Sequence, residues 1–125
     1  MTLLLDAGAF IALERGDPPA HRRLKREHAL GTPPMTHGGI VGQIWRGGTR
    51  QTMLAMWLAA TVVVGLDNEL GRRSGALLAR TGGSDVLDAA LVIISRDGDT
   101  ILTSDAEELA VLAAAAGRHV DIIPV

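Results

Sequence analysis

Four aspartates stand where this chain could do chemistry. Asp6 closes the apolar run Leu3-Leu4-Leu5, Asp85 and Asp88 open the stretch Ser84-Asp85-Val86-Leu87-Asp88-Ala89-Ala90-Leu91-Val92-Ile93-Ile94, and Asp105 follows Thr100-Ile101-Leu102-Thr103-Ser104. Asp88 is conspicuous, because Val86, Leu87, Ala89, Ala90 and Leu91 leave its helix with hardly any solvent-facing side. An ionised carboxylate rarely sits among such residues without a partner. A spacing of three puts Asp85 and Asp88 on one helix face. Asp6 and Asp105 both end strands, positions that a parallel sheet places on one edge. Taken singly, Asp85 and Asp105 read as first-turn residues behind N-capping Ser84 and Ser104, where the helix dipole favours negative charge. Their concurrence with Asp6 and Asp88 points to a site. Carboxylates brought together raise one another's pKa unless a cation neutralises them. A hard divalent ion, Mg²⁺ or Mn²⁺, suits an all-oxygen set, bridges it to phosphate and activates water. The chemistry expected is phosphodiester hydrolysis by in-line attack of an activated water.

The elements that must position these acids follow from apolar period and breakers. The run ending at Asp6 has the continuous apolar pattern of a buried parallel strand and is expected at the sheet's centre. Asp17-Pro18-Pro19 caps and starts a helix running to Leu30. Arg22, Arg23, Lys25 and Arg26 mark that helix as mostly exposed, a solvated charged face or a contact for RNA or a protein partner. After the break Gly31-Thr32-Pro33-Pro34, Met35 to Trp45 has helical spacing in Ile40, Val41, Ile44 and Trp45, and Gln43 lies on it. Thr49 to Ala60 gives another amphipathic helix. Trp45 and Trp57 fit core or subunit-interface positions better than base-stacking platforms. Thr61 to Leu66 is a β-branched strand. Asp67 to Arg80 is helical, with Gly71 and Gly75 placed for close packing on a neighbour. Thr100 to Thr103 is a strand, Ser104 and Glu107 form a capping box for an alanine-rich helix to Ala116, and Val120 to Val125 is an edge strand carrying Pro124. The alternation predicts an α/β fold with a mostly parallel central sheet flanked by helices, one domain over residues 1–125.

Composition narrows the classes further. At 125 residues and 47% hydrophobic, the chain supports one core and is too apolar for a disordered protein. No cysteine is present, which excludes disulfides, zinc ribbons and thiol catalysis. The N-terminus makes a poor signal peptide, and Leu54 to Leu66 is too short to span a bilayer, so a soluble cytoplasmic protein without membrane contact is expected. The net charge of −2 conceals an asymmetry. Residues 1–62 carry seven Lys/Arg against four Asp/Glu, and residues 63–125 carry five against ten. A basic half and an acidic half suit a protein that holds both a polyanion and a cation.

The ordered set Leu3-Leu4-Leu5-Asp6, Gln43-Ile44-Trp45-Arg46, Asp85-Val86-Leu87-Asp88-Ala89-Ala90-Leu91 and Ile101-Leu102-Thr103-Ser104-Asp105 resembles the PIN-domain family, in particular its VapC-type toxins, over nearly the whole chain. The resemblance implies a PIN-like fold and a Mg²⁺- or Mn²⁺-dependent ribonuclease, the toxin of a type II toxin-antitoxin system. It also implies a homodimer held inactive by a VapB-like antitoxin whose C-terminal segment enters the acidic site. By position, Asp6, Asp88 and Asp105 match the family's metal-binding, catalytic acids and Asp85 is an accessory ligand. Thr103 or Ser104 would hydrogen-bond a ligand or water, and Arg46 and Arg50 are candidates for holding the scissile RNA strand. Gln43 departs from the family, which usually has Glu there. Gln offers a carbonyl oxygen but neither charge nor basicity, which removes a ligand for a second metal and opens an alternative: a catalytically weak PIN-like module that binds antitoxin or RNA without cutting.

Other families fail on particular residues. A haloacid-dehalogenase-type phosphatase needs an acid two residues after Asp6, where Gly8 stands; a receiver domain needs a late lysine, and Lys25 is the only one. No glycine-rich phosphate loop follows the first strand. His21, His28, His37 and His119 lack metal-ligand spacing and are expected at the surface.

Overall fold

The computed structural model describes residues 1–125. Its centre is β1 (Leu3–Leu5), three leucines that are all buried, as their uninterrupted apolar run requires. Around it the chain alternates: α1 (Ala7–Glu14), α2 (Pro18–Ala29), β2 (Met35–His37), α3 (Gly38–Ile44), a 3₁₀ turn at Thr49–Gln51, α4 (Thr52–Ala59), β3 (Val62–Val64), α5 (Asn68–Thr81), α6 (Val86–Ile94), β4 (Thr100–Thr103), α7 (Ala106–Ala115) and β5 (Asp121–Pro124). The five strands form one parallel sheet in the order β3-β2-β1-β4-β5. From β1 the chain first builds outward to β2 and β3, then returns to lay β4 against the other side of β1. The gap above β1 and β4 is therefore a topological switch point, where open parallel sheets bind ligands beyond the carboxyl ends of their strands. Asp6 follows β1 there, and Ser104-Asp105 follow β4.

One core of 24 buried hydrophobic residues joins the sheet to its helices. The helix α6 is its most apolar contributor: Ala89 to Ile93 are all buried, and the helix packs on α5, α7 and β2. Phe10 and Leu13 of α1, Leu77 of α5 and Leu109 and Leu112 of α7 complete the interior. No helix is long and apolar enough to cross a membrane.

The sheet has one strand more than the sequence pattern shows. Met35–His37 is a strand, whereas the spacing of Ile40, Val41 and Ile44 carries a helical reading back to Met35. Thr36 and His37 are polar yet buried, with the Thr36 hydroxyl donating to the Leu5 carbonyl at 2.9 Å, so the strand has no apolar alternation to reveal it. The segment 49–60 is a 3₁₀ turn followed by α4 rather than one helix. The close packing expected at Gly71 and Gly75 is absent, since a Cβ at either would meet nothing within 4 Å. Trp57 packs against the core, edge-on to His21 with ring centroids 5.8 Å apart. Trp45 is 40% exposed and is not core.

Truncating Leu91, fully buried in α6, should remove transfer energy and leave a cavity in the core. Leu91→Ala is expected to lower unfolding free energy by about 3 kcal/mol, read as a lower urea midpoint at unchanged slope; a loss like that of a surface substitution would contradict the packing of α6.

Candidate metal centre

Three of the helices that begin at the carboxyl edge of the sheet are capped by aspartates singled out in the sequence. Asp6 accepts from the Ala9 amide at 2.8 Å and caps α1. Asp85 accepts from the Asp88 amide at 3.0 Å and caps α6. Asp105 accepts from the Glu108 amide at 3.4 Å and caps α7. Asp thus takes the role expected of Ser84 and Ser104, and the capping box of Ser104 with Glu107 does not form. Ser104 instead donates its backbone N–H to Asp6 Oδ2 at 3.1 Å, which places it one residue ahead of the cap. An N-cap carboxylate satisfies an orphan N–H and meets the positive end of the helix dipole. Three like-charged groups can therefore stand near one another without each being equally unfavourable.

The four aspartates of the sequence reading line one cleft of about 150 Å³, together with Ala7, Gly8, Ile40, Gln43, Leu87 and Ser104. Asp6 is buried and tied on both oxygens, because Oδ2 also accepts from the Thr103 hydroxyl. Thr103, fully buried at the end of β4, in turn accepts from the Asp105 amide at 2.8 Å, so one hydroxyl fixes the Asp6 carboxylate and the turn that presents Asp105. Gly8 belongs to the same junction. A Cβ there would lie 2.1 Å from Ser104 Oγ, so only glycine lets the turn after β4 cross the first turn of α1.

Asp88 is different: it caps nothing. Half-buried in the first turn of α6, it is desolvated by its apolar neighbours and repelled by Asp85, Asp6, Asp105 and Glu108, in that order, and its carboxyl is pushed from an ordinary 3.8 up to about 7. That is the electrostatic signature of several acids sharing one space. Glu108 is a member of this group that sequence reasoning missed. Its signal was present in the chain, since position i+3 from Asp105 places it on the same helix face.

The donor set fits a hard divalent cation. All the candidate ligands are carboxylate oxygens, Asp85 and Asp105 each commit only Oδ1 to a cap, and burial and like charge alone set the state of Asp88. No three His, Asp or Glu side chains are already spaced to hold a metal ion; the acids share a cleft while Asp6, Asp85 and Asp105 each accept from the helix they cap. Gln43 lines the cleft as expected. Arg46 and Arg50 do not line it. Arg46 Nη1 donates to the Gly42 carbonyl at 3.0 Å and the Trp45 carbonyl at 2.7 Å, folding the side chain over the end of α3, and Arg50 is exposed on the 3₁₀ turn.

Two histidines depart from the surface expectation. His21 Nε2 bonds the Leu13 carbonyl at 2.9 Å. His37 is fully buried at the end of β2, and burial lowers its pKa below the ordinary 6.5 against the opposing effects of its Leu87 hydrogen bond and the Asp85 charge. No spacing rule reveals it, because its partners are backbone groups of other elements. His28 and His119 are exposed.

No protein-family model and no curated protein matches the sequence. Among solved structures, the chain is similar to a chain of VapBC2 from Rickettsia felis bound to a DNA fragment from their promoter, with a TM-score of 0.72 over 98% of each chain at 10% sequence identity. At that identity the likeness is one of fold alone, a PIN-like fold with a five-stranded parallel sheet in the order 3-2-1-4-5 and helices about it.

The raised pKa of Asp88 fixes the sign of a pH effect. Folding raises this carboxyl's affinity for its proton, so between about pH 4 and 7 the folded chain binds more protons than the unfolded one, and stability falls as pH rises through that window. Asp88→Asn, with divalent cations chelated, should match wild type at pH 4 and exceed it at pH 8 by about 1 to 2 kcal/mol after discounting for screening at a half-exposed group. Denaturant titrations at the two pH values measure this; parallel pH profiles would contradict it.

Proposed function

We propose that the chain is the toxin of a type II toxin-antitoxin pair, a divalent-cation-dependent endoribonuclease that hydrolyses RNA phosphodiester bonds at the acidic cleft. The observation that carries the reading is Asp88, whose carboxyl is raised to about 7 first by burial and then by the charges of three other aspartates and a glutamate around the sheet's switch point. Such a group is unfavourable alone and suited to a doubly charged ion. Asp6, Asp85, Asp88 and Asp105 would hold Mg²⁺ or Mn²⁺, which when bound neutralises their repulsion, activates water and stabilises charge on phosphate.

The chain's own groups prepare the rest. Thr103 keeps Asp6 and the Asp105 turn in register through its two hydrogen bonds. The N-termini of α1, α6 and α7 present positive dipole ends toward the cleft, where a phosphate would stand. The Gln43 amide can donate to a phosphate oxygen or orient water, but cannot take a proton. Arg46 and Arg50, beyond the Gln43 end of α3, would meet the RNA backbone outside the cleft, and Arg22, Arg23, Lys25 and Arg26 add positive field on α2. The fold shared with a chain of the R. felis VapBC2 complex supports a VapB-like antitoxin as partner. A homodimer acting in the cytoplasm completes the proposal.

Gln43 favours a second reading, a PIN-like module that binds antitoxin or RNA without cutting, because the cleft lacks a carboxylate at that position. A cleavage assay on single-stranded RNA with Mn²⁺ separates the two. Asp6→Ala is a poor control, since it removes a helix cap and strands the Thr103 hydroxyl and Ser104 amide, so lost activity would be confounded with lost fold. Asp88→Asn and Asp105→Asn are preferable. Wild type should cleave, with each variant at least about 100-fold slower. Cleavage seen only after Gln43→Glu would favour the binding module, and cleavage undiminished in both Asn variants would remove the site.

A further inference from the structure

His37 is a buried imidazole that nothing in the proposed chemistry uses, and both of its nitrogens are committed. The Gly39 backbone N–H donates to Nδ1 at 3.1 Å, capping α3, so Nδ1 carries no proton. Nε2 must then hold it, and it points at the Leu87 carbonyl at 2.8 Å. Leu87 is the residue before Asp88 and the second residue of the helix that Asp85 caps. Its carbonyl belongs to the first turn of α6, the turn that carries two of the four aspartates. The only hydrogen bond to that carbonyl from outside α6 thus comes from the end of β2, a strand 50 residues earlier in the chain.

The packing around the contact is tight. A Cβ at Gly39 would stand 2.6 Å from Leu87 Cδ2, 2.9 Å from Leu66 Cδ2 and 3.0 Å from His37 Cε1. The N-terminus of α3 therefore lies against the Leu87 side chain with no room for a Cβ between them, while His37 holds the Leu87 carbonyl, so the turn is held from two directions. Asp85 caps this turn from outside and is close enough to His37 to favour the charged imidazole, but burial dominates and keeps the ring neutral. The neutral tautomer is the one that the tie requires.

We propose that His37 is a positioning residue of the acidic cleft, whose Nε2–H holds the Leu87 carbonyl and so sets where the first turn of α6 presents Asp85 and Asp88. It rests on the reading that these acids hold a cation, and it assigns His37 no contact with that cation or with RNA. Groups that orient a metal's ligands from outside the coordination sphere tune its affinity, and His37 would do so one step further out, through the backbone of the turn that carries the ligands. Both bonds of the imidazole have separate mimics. An asparagine places its oxygen near Nδ1 and can still cap α3, but does not reach Leu87. A glutamine places its amide nitrogen near Nε2 and can still donate to Leu87, but gives up the cap.

The test is calorimetric titration of the full chain with Mn²⁺, with thermal unfolding followed alongside. His37→Asn should weaken Mn²⁺ binding about tenfold, the low end for such orienting partners, while His37→Gln stays within about twofold of wild type although it loses the α3 cap. Should His37→Asn fail to fold, Gly39→Ala, which pushes on Leu87 from the other side, should weaken binding in the same way. Wild-type Mn²⁺ affinity in His37→Asn, or equal weakening in Asn and Gln variants in proportion to lost stability, would overturn the proposal by reducing His37 to a structural residue. Absence of Mn²⁺ binding in wild type would overturn the cation reading itself, an outcome distinguishable because it appears before any variant is made.

Discussion

Ionising Asp88 beside three aspartates and a glutamate is unfavourable, and the arrangement of helices around it decides how that repulsion is borne. Three of the acids are relieved individually. Asp6, Asp85 and Asp105 each cap a helix, so each faces a backbone N–H and the positive end of a dipole. Asp88 has no such relief, and its burial together with the accumulated repulsion raises its carboxyl to about 7. The local fold and the proposed chemistry thus draw on the same groups. The carboxylates that start the helices are also the ones that would hold a cation, and turning them toward one would loosen contacts that each helix now uses.

The topology explains why these helix starts coincide. In a parallel sheet every strand delivers its chain to the same edge, and a sheet that grows outward from β1 in both directions leaves its first gap between β1 and β4. Asp6 and Asp105 flank that gap because each lies one or two residues beyond its strand. The helix α6 reaches it by another route, packed over the sheet through five consecutive buried residues and tied to β2 through His37 and Leu87. The core therefore does more than stabilise the chain: the depth of α6 in it determines where Asp85 and Asp88 emerge. Thr103 joins the two strand ends, so the edge of the sheet is rigid where the acids meet.

Much of this was legible in the residues. The run before Asp6, the β-branched run at Thr61 to Leu66, the strand at Thr100 to Thr103 and the Asp17 cap all read correctly, because each is a local pattern with a local cause. The coincidence of the four aspartates at one cleft was also legible, from acids at strand ends and an acid inside an apolar helix. What sequence did not reveal depends on contacts distant along the chain. The strand Met35–His37 is specified by hydrogen bonds of Thr36 to Leu5 and of His37 to Leu87, not by apolar alternation. The caps of α6 and α7 fall on Asp85 and Asp105, one residue after the serines, and the Ser104 amide is bonded instead to Asp6, 98 residues away. Gly71 and Gly75 misled, since small residues mark close approach only when something approaches.

Should the aspartates form one cation site, an ion bound there has to displace the proton that burial and like charge hold on Asp88. Measuring Mn²⁺ affinity by calorimetry from pH 5 to 8, in buffers of differing ionisation enthalpy, tests it most directly. Because the cation must displace the Asp88 proton, affinity should rise about tenfold per pH unit below 6.5, level off above about pH 7.5, and be accompanied by release of about one proton per ion at the acid end. Affinity that is flat across this range, with no proton released, would mean that Asp88 does not share a site with the ion, and the account would be wrong at its centre.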